Sequence, residues 1–198
     1  MSAPDHISKK QFFPVIRAED VANHPTSREV SLEEFQELAG QGKQYMDRIA
    51  NKPATGTSAL DTKMPELQED AWNRTREPWG GATYNTNTGK NWTGRAKNSY
   101  IITARKPGQD PISIPADADR DKFNEAMSSA KDTFPQVTRS HMHLGVFHDA
   151  DKGTIDIDPV MVVNSRRKVE QIGAYTRATG GAYHPRSGNG YYPPHVKE

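Results

Sequence analysis

The sequence predicts an α+β protein, with an antiparallel sheet of about four strands, helices packed on one face, and an extended N-terminal arm with helices. Three observations lead to this fold class. Apolar residues concentrate in one part of the chain, helical and alternating spacings occur in separate segments, and the predicted elements run helix, helix, hairpin, helix, hairpin, helix. No Gly-rich phosphate loop and no internal repeat occurs in the sequence.

The apolar residues are unevenly distributed along the chain. Of its 198 residues, 31 are Leu, Ile, Val or Phe, and 17 of these fall in residues 99–175, so we expect the core mainly there. The predicted parts are an extended arm, a helical segment, an α+β domain and a tail, at residues 1–30, 31–78, 79–181 and 182–198 respectively. On this division, a chain that begins at Met64 or Trp79 should still fold.

The helical segment has a clear start signal. Ser31 and Glu34 have the spacing of a capping box, and the apolar residues that follow recur at helical spacing. A helix is therefore predicted over residues 31–50. A linker over residues 51–59 and a shorter helix over residues 65–76 follow.

The first hairpin of the domain is predicted after a turn-rich stretch. Residues 79–98 are rich in turn formers and aromatic residues, which indicates irregular structure or a short hairpin. Residues 99–106 and 111–115 read as two antiparallel strands joined by a Pro-Gly turn. A helix capped by Asp117 or Asp119 comes next.

The second hairpin has the stronger alternation. In residues 143–149, Leu144, Val146 and His148 fall on one face, which is typical of a half-buried strand. A turn with Asp and Gly leads into a long strand over residues 154–163. A further helix follows, and the tail adds one edge strand.

Composition excludes several classes of protein. The net charge is +1 and neither half of the chain is basic, so there is no strong signal for nucleic-acid binding. There are no cysteines, hence no disulfides and no thiolate metal sites. No apolar run reaches the ~18–20 residues of a membrane span, and no signal peptide opens the chain. We expect a soluble protein that is cytoplasmic or virion-associated and has no cofactor.

A family resemblance begins at Trp79 and runs to the C-terminus. It depends on strand, turn and cap signals: Gly80-Gly81-Ala82-Thr83, Thr88-Gly89, residues 100–104, Ile114-Pro115, residues 143–149, Gly153 and Ile155-Asp156-Ile157-Asp158. In these features the chain resembles a family of uncharacterised proteins encoded by actinobacteria and their phages and mobile elements. The resemblance implies an accessory product of such an element. It carries over no catalytic residue.

Histidines and aspartates of the second hairpin raise one catalytic alternative. His141 and His143 are two residues apart, and Asp156 and Asp158 repeat that spacing on the neighbouring strand. Imidazoles and carboxylates on one face could hold a divalent metal ion, with His148 as acid or base, in a metal-dependent hydrolase. The same pattern also fits the solvated face of a hairpin, and the sequence leaves both readings open.

The leading prediction is a non-catalytic protein-binding accessory module, plausible for a phage or mobile element, whose protein partner the sequence does not identify. Its predicted contacts are aromatic residues in segments with few aliphatic residues: Phe12, Phe13, Trp72, Trp79, Tyr84 and Trp92. Aromatic residues in such segments can also fix a loop onto its own domain. The sequence predicts no membrane contact.

Overall fold

The structure is a computed structural model that describes residues 28–52, 56–92, 99–139, 141–176, 182–184, 189–191 and 194–196. Its α-helices are α1 (Leu32–Ala50), α2 (Ala59–Thr62), α3 (Met64–Thr75), α4 (Arg120–Thr133) and α5 (Arg166–Thr176). A 3-10 helix spans Pro135–Thr138. The strands are β1 (Glu29–Val30), β2 (Gly81–Asn85), β3 (Tyr100–Thr103), β4 (Ile112–Pro115), β5 (Met142–Asp149), β6 (Thr154–Val163), β7 (Ala182–His184), β8 (Asn189–Tyr191) and β9 (His195–Val196).

The strands of the main sheet are all antiparallel to their neighbours. Their order is β2-β5-β6-β3-β7-β8, and β4 also pairs with β6. A separate pair is formed by β1 and β9, which run parallel. The α+β class is confirmed, although this sheet has seven strands among the residues that the structure describes, where the sequence predicted about four.

All five described α-helices pack on one face of the sheet, as the sequence predicts. Helices α2, α3 and α4 cover a cluster that includes Leu144, Val146 and Ile157. Helices α1 and α5 cover a second cluster that includes Met142 and Met161. Strand alternation places these five sheet residues on the same side, and the burial of apolar surface between the sheet and the helices is the dominant favourable contribution to folding.

Local signals set where the helices begin. The Ser31 hydroxyl accepts a hydrogen bond from the Glu34 amide at 3.1 Å, and Asp119 caps α4 through the Lys122 amide at 2.8 Å. Each cap satisfies an amide that has no partner within the helix. The sequence missed α2, whose N-cap Ser58 lies in the segment expected to be a linker.

The first predicted hairpin is wrong in its pairing. β3 and β4 exist, but they do not pair with each other. Both lie along the same edge of β6, β4 beside its first half and β3 beside its second half. The ten residues of β6 offer an edge long enough for two strands of four residues each.

The helical segment before Trp79 belongs to the same two clusters as the sheet. Leu67 of α3 is buried with Tyr84 and Leu144, and Met46 of α1 is buried with Met142. The predicted arm lies outside the described residues as far as residue 27. Within the part of the chain that is described, no helix combines the length and apolar character of a membrane span.

Candidate binding surface on the second face of the sheet

The face of the sheet opposite the helices carries the candidate site. Because side chains alternate along a strand, the register assigns one set of residues of β2, β5 and β6 to this face, which we call the second face. The set mixes small, polar and aromatic residues: Gly81, Thr83, His143, Gly145, Phe147, Asp156, Asp158 and Val160. The helix face, by contrast, is mostly apolar.

Two aromatic rings meet at one end of the second face. The ring centroids of Trp79 and Phe147 lie 6.2 Å apart, with 43° between the ring planes. Both residues are only partly buried. Trp79 has a φ of 65°, in the left-handed region that costs an ordinary residue about 1–2 kcal/mol. The chain therefore keeps a large aromatic residue in a strained backbone conformation beside Phe147.

A second aromatic position lies further along the same face. Trp92 is partly buried against the cluster formed by Ile101 of β3 and Val160 of β6. Its amide donates to the Thr83 carbonyl at 2.7 Å, which fixes the Trp92 backbone to the edge of β2. From the register, Trp92 and Phe147 contact parts of β6 that are separated by about 13 Å.

Asp158 and Arg105 form an ion pair on the second face. The Arg105 Nε lies 3.0 Å from the Asp158 Oδ1. Both atoms are buried and neither makes an aligned hydrogen bond to a described residue. Burial raises the pKa of Asp158 to about 7, an effect that Arg105 opposes and Asp156 adds to.

Asp156 is held by the hairpin around it. Its Oδ1 accepts hydrogen bonds from the Ser113 hydroxyl at 2.6 Å and from the Thr154 hydroxyl at 3.1 Å. The Lys152 ammonium lies 3.8 Å from the Asp156 carboxylate and 3.1 Å from the buried Asp149 carboxylate. The charged groups of the β5–β6 turn therefore pair with one another, and the Asp156 carboxylate is already engaged rather than open to bind a metal ion.

The structure separates the predicted metal ligands. His141 precedes β5 in a turn with a φ of 70°, which breaks the strand alternation, and its Nε2 lies 3.5 Å from the Lys52 ammonium. His143 is buried beside Val160, and burial lowers its pKa to about 4. Among the described residues, no three His, Asp or Glu side chains are grouped to hold a metal ion.

His148 is on the wrong face for the predicted acid or base role. It lies on the helix face with Leu144 and Val146, opposite the side that carries His143. Its Nδ1 is 2.9 Å from the Thr75 carbonyl oxygen, within hydrogen-bond distance. The sequence placed this residue correctly on the apolar face, and that placement keeps it away from Asp156 and Asp158.

The predicted aromatic surface also divides between the two faces. Tyr84 is 1% exposed, belongs to the core, and donates its hydroxyl proton to Asp70 at 2.7 Å. Trp72 packs edge-on against Phe123 in the helix layer. Of the predicted contacts, Trp79 and Trp92 remain on the second face. Phe12 and Phe13 lie outside the described residues.

Comparison with known proteins adds no family. The protein-family models, the curated proteins and the solved structures gave no match. The resemblance of residues 79–198 to proteins of actinobacteria and their phages therefore stays a prediction.

Two residues of the candidate surface were not singled out from the sequence. Phe147 occupies the face opposite Leu144 and Val146, so the alternation that predicted the strand could also have indicated its exposure. Arg105 follows β3 in a loop, and no spacing in the sequence relates it to Asp158. Its position beside Asp158 depends on the pairing of β3 with β6.

Proposed function

We propose that this protein is a non-catalytic protein-binding accessory module, of the kind that phages and mobile elements encode, and that the second face carries its contact. The observation that carries the proposal is Trp79. A partly exposed tryptophan in a left-handed backbone conformation reduces stability, and such strain is typical of functional positions.

The surroundings of Trp79 suit contact with another protein. Large aromatic residues are the commonest anchors of protein interfaces, and Phe147 adds a second ring at the same place. Polar residues follow Phe147 across the sheet, since the register pairs Phe147 with Asp156 and Asp156 with the exposed Ser113, and polar residues beside aromatic ones match the rim of an interface. The nearby carboxylates of Asp149 and Asp156 already have partners, so a protein that covers them leaves no buried charge unpaired.

The phage or mobile-element context has a separate support. It depends on the resemblance of residues 79–198, which consists of strand and turn signals. The proposed partner is therefore defined by its chemistry, as a protein with an apolar patch that covers the rings of Trp79 and Phe147.

The test uses the full chain to isolate a partner from the cells or virions that produce the protein. The captured protein is then purified, and its affinity is measured by titration calorimetry. We expect Phe147→Ala to weaken binding at least tenfold, because a buried aromatic anchor contributes about 2 kcal/mol or more. The control is Leu32→Ala, which shortens an apolar residue that is 58% exposed on α1.

The control variant should bind within about twofold of the original protein, since isolated exposed apolar residues contribute little. Two results would contradict the proposal. One is the absence of any partner that binds more tightly than about 10 µM, an affinity that even modest interfaces reach. The other is equal weakening by Phe147→Ala and Leu32→Ala.

A further inference from the structure

A row of cations follows the solvent-facing side of α1, and we call it the basic stripe. Two of its members reach α1 from the start of α5. The Arg167 guanidinium donates to the Gln41 Oε1 at 3.4 Å, and the Lys168 ammonium lies 5.2 Å from the centre of the Tyr45 ring. The guanidinium of Arg48 lies 5.4 Å from the same ring centre. The basic stripe consists of Arg167, Lys168, Arg48 and Lys52.

The cations of the basic stripe have no carboxylate partners. Among the described residues, no carboxylate lies within ion-pair distance of any of the four. The two from α5 also lie in the first turn of that helix, where the helix dipole disfavours positive charge. Neighbouring acids of α1 are already held: Glu37 accepts a hydrogen bond from Gln41 at 2.7 Å, and Asp47 lies 2.6 Å from the Lys43 ammonium. A row of anions on a partner would therefore stabilise the basic stripe.

The solvent-facing side of α4 carries a row of opposite charge, which we call the acidic stripe. It consists of Asp121, Glu125 and Asp132, with Ser128 between the last two. All four residues are exposed, and their spacing keeps them within about 40° around the helix. In the described part of the chain, none of the three carboxylates has a cation within ion-pair distance.

The two stripes have the same spacing. Along α1 the cations lie at residues 41, 45, 48 and 52, because Arg167 reaches residue 41 and Lys168 reaches residue 45. The acidic stripe occupies residues 121, 125, 128 and 132, with the same steps of four, three and four residues. At 1.5 Å per residue each row is about 16 Å long. The steps are the same in both chain directions, so three of four positions can oppose an acid to a cation in either orientation.

We propose that a second copy of this chain docks its acidic stripe on the basic stripe, with α4 of one copy lying along α1 of the other. Both rows face solvent in the folded chain, so they do not pair within one copy, and a second copy supplies each with its complement. Because every copy carries both stripes, association can continue beyond a dimer. The inference does not depend on the proposed function, since both stripes belong to the helix layer and not to the second face.

The strength of this contact follows from its chemistry. Exposed ion pairs are individually weak and are screened by salt. We therefore expect a transient association, with a dissociation constant of about 0.1–1 mM at low salt.

The measurement is sedimentation equilibrium of the full chain up to about 1 mM, in about 0.02 M and about 0.3 M sodium chloride. The mean mass should rise with concentration at low salt and return to the 22.1 kDa of one chain at high salt. A mass of one chain at every concentration and salt would overturn the inference, and a polyanion such as a nucleic acid would then be the better occupant of the basic stripe.

Charge-reversal variants test the pairing itself. The first variant combines Arg48→Glu with Arg167→Glu, and the second combines Glu125→Lys with Asp132→Lys; all four residues are exposed. Each variant alone should associate at least tenfold more weakly than the original, because like charges then face each other. An equimolar mixture of the two should associate again. A mixture that stays at the mass of one chain would overturn the inference.

A matched control separates paired stripes from overall charge. Adding Asp110→Lys and Asp151→Lys to the first variant restores the original net charge at exposed loop residues outside both stripes. This chain should still not associate, and association as strong as that of the original would overturn the inference. Circular dichroism checks that every variant is folded. If a reversal unfolds the chain, the neutral pair Arg48→Gln and Arg167→Gln replaces it, and an unchanged dissociation constant in that pair would equally overturn the inference.

Discussion

At Trp79 the backbone takes a conformation that glycine adopts without strain. Trp79→Gly should therefore relieve about 1–2 kcal/mol of strain, while losing a ring contact worth about 0.5–1.5 kcal/mol and part of the roughly 1.5–3 kcal/mol that full burial of a large apolar side chain contributes. We expect the free energy of unfolding, measured with urea, to fall by no more than about 2 kcal/mol. Binding of a protein partner should nevertheless be lost. A loss of more than about 3 kcal/mol on unfolding would assign Trp79 a mainly structural role.

The two titrating residues of the second face should act on stability in opposite directions. Burial lowers the pKa of His143 from 6.5 to about 4, so the unfolded chain takes up the proton first and stability falls as the pH drops through this range. Burial raises the pKa of Asp158 from 3.8 to about 7, so the folded chain holds its proton longer and stability falls as the pH rises.

Urea unfolding of His143→Leu and Asp158→Asn between pH 4 and 7 tests this opposition. The stability advantage of the original protein over His143→Leu should grow by about 3 kcal/mol as the pH rises, and its advantage over Asp158→Asn should shrink by a similar amount. Parallel pH profiles for the original protein and both variants would contradict the assigned burial. From the sequence, His143 could be a metal ligand or a residue of a solvated face, and its burial was not predicted, because alternation shows which face a residue occupies but not what covers that face.

At the scale of single elements, substitutions of two glycines of α1 should have opposite effects on stability. Gly42 lies where α5 crosses α1, and a Cβ there would overlap the Gln171 carbonyl and lie 3.0 Å from the Tyr175 Cβ. Gly40 is exposed, and a Cβ there would meet nothing within 4 Å. We expect Gly42→Ala to destabilise the protein by about 1–3 kcal/mol and Gly40→Ala to stabilise it by about 0.5–1 kcal/mol.

Thermal or urea unfolding of the two variants is a matched comparison, because both changes add one methyl group to the same helix. Equal shifts of either sign would mean that α1 and α5 do not approach as closely as Gly42 requires. The sequence alone shows two glycines that weaken a helix. Only the crossing explains why one of them is needed.

Elements that depend on interactions between residues close in sequence were predictable. Strand pairings between residues far apart in sequence were not. The cap at Ser31 and the alternation of β5 involve neighbours in sequence, and both are as the sequence predicts. The pairing of β3 and β4 with β6 depends on residues about 40 or more positions away. A Pro-Gly turn between two short strands predicted a hairpin. The turn carries no information about the edge of β6, with which both strands pair instead.

At the scale of the whole molecule, the predicted site was divided by the sheet. His148 and Tyr84 lie on the helix face, and His143 and Trp79 lie on or beside the second face. The sequence analysis grouped these residues into sites because they are close along the chain or share a strand. In a sheet that has helices on one side, such neighbours lie on opposite faces. Which residues share a surface can therefore be predicted from the sequence only when the strand register is known.

The core also extends across the boundary that apolar density suggested at Trp79. Helices α1 to α3 bury five large apolar side chains, and all of them except Leu38 belong to the two clusters that include sheet residues: Leu38, Met46, Ile49, Leu60 and Leu67. At about 1.5–3 kcal/mol each, their loss is comparable with the total stability of about 5–15 kcal/mol that is usual for a domain. The expectation that a chain beginning at Met64 or Trp79 would fold is therefore revised.

We now predict that a chain beginning at Trp79 does not unfold cooperatively, because the sheet would expose Leu144 and Met142 where α3 and α1 covered them. A chain beginning at Arg28 keeps every described contact and should retain a single transition. Calorimetry of the two chains distinguishes the cases, with near-ultraviolet circular dichroism as a check on fixed packing. A cooperative transition in the Trp79 chain would show that the sheet and α4 and α5 are stable alone, and that α1 to α3 are an accessory layer.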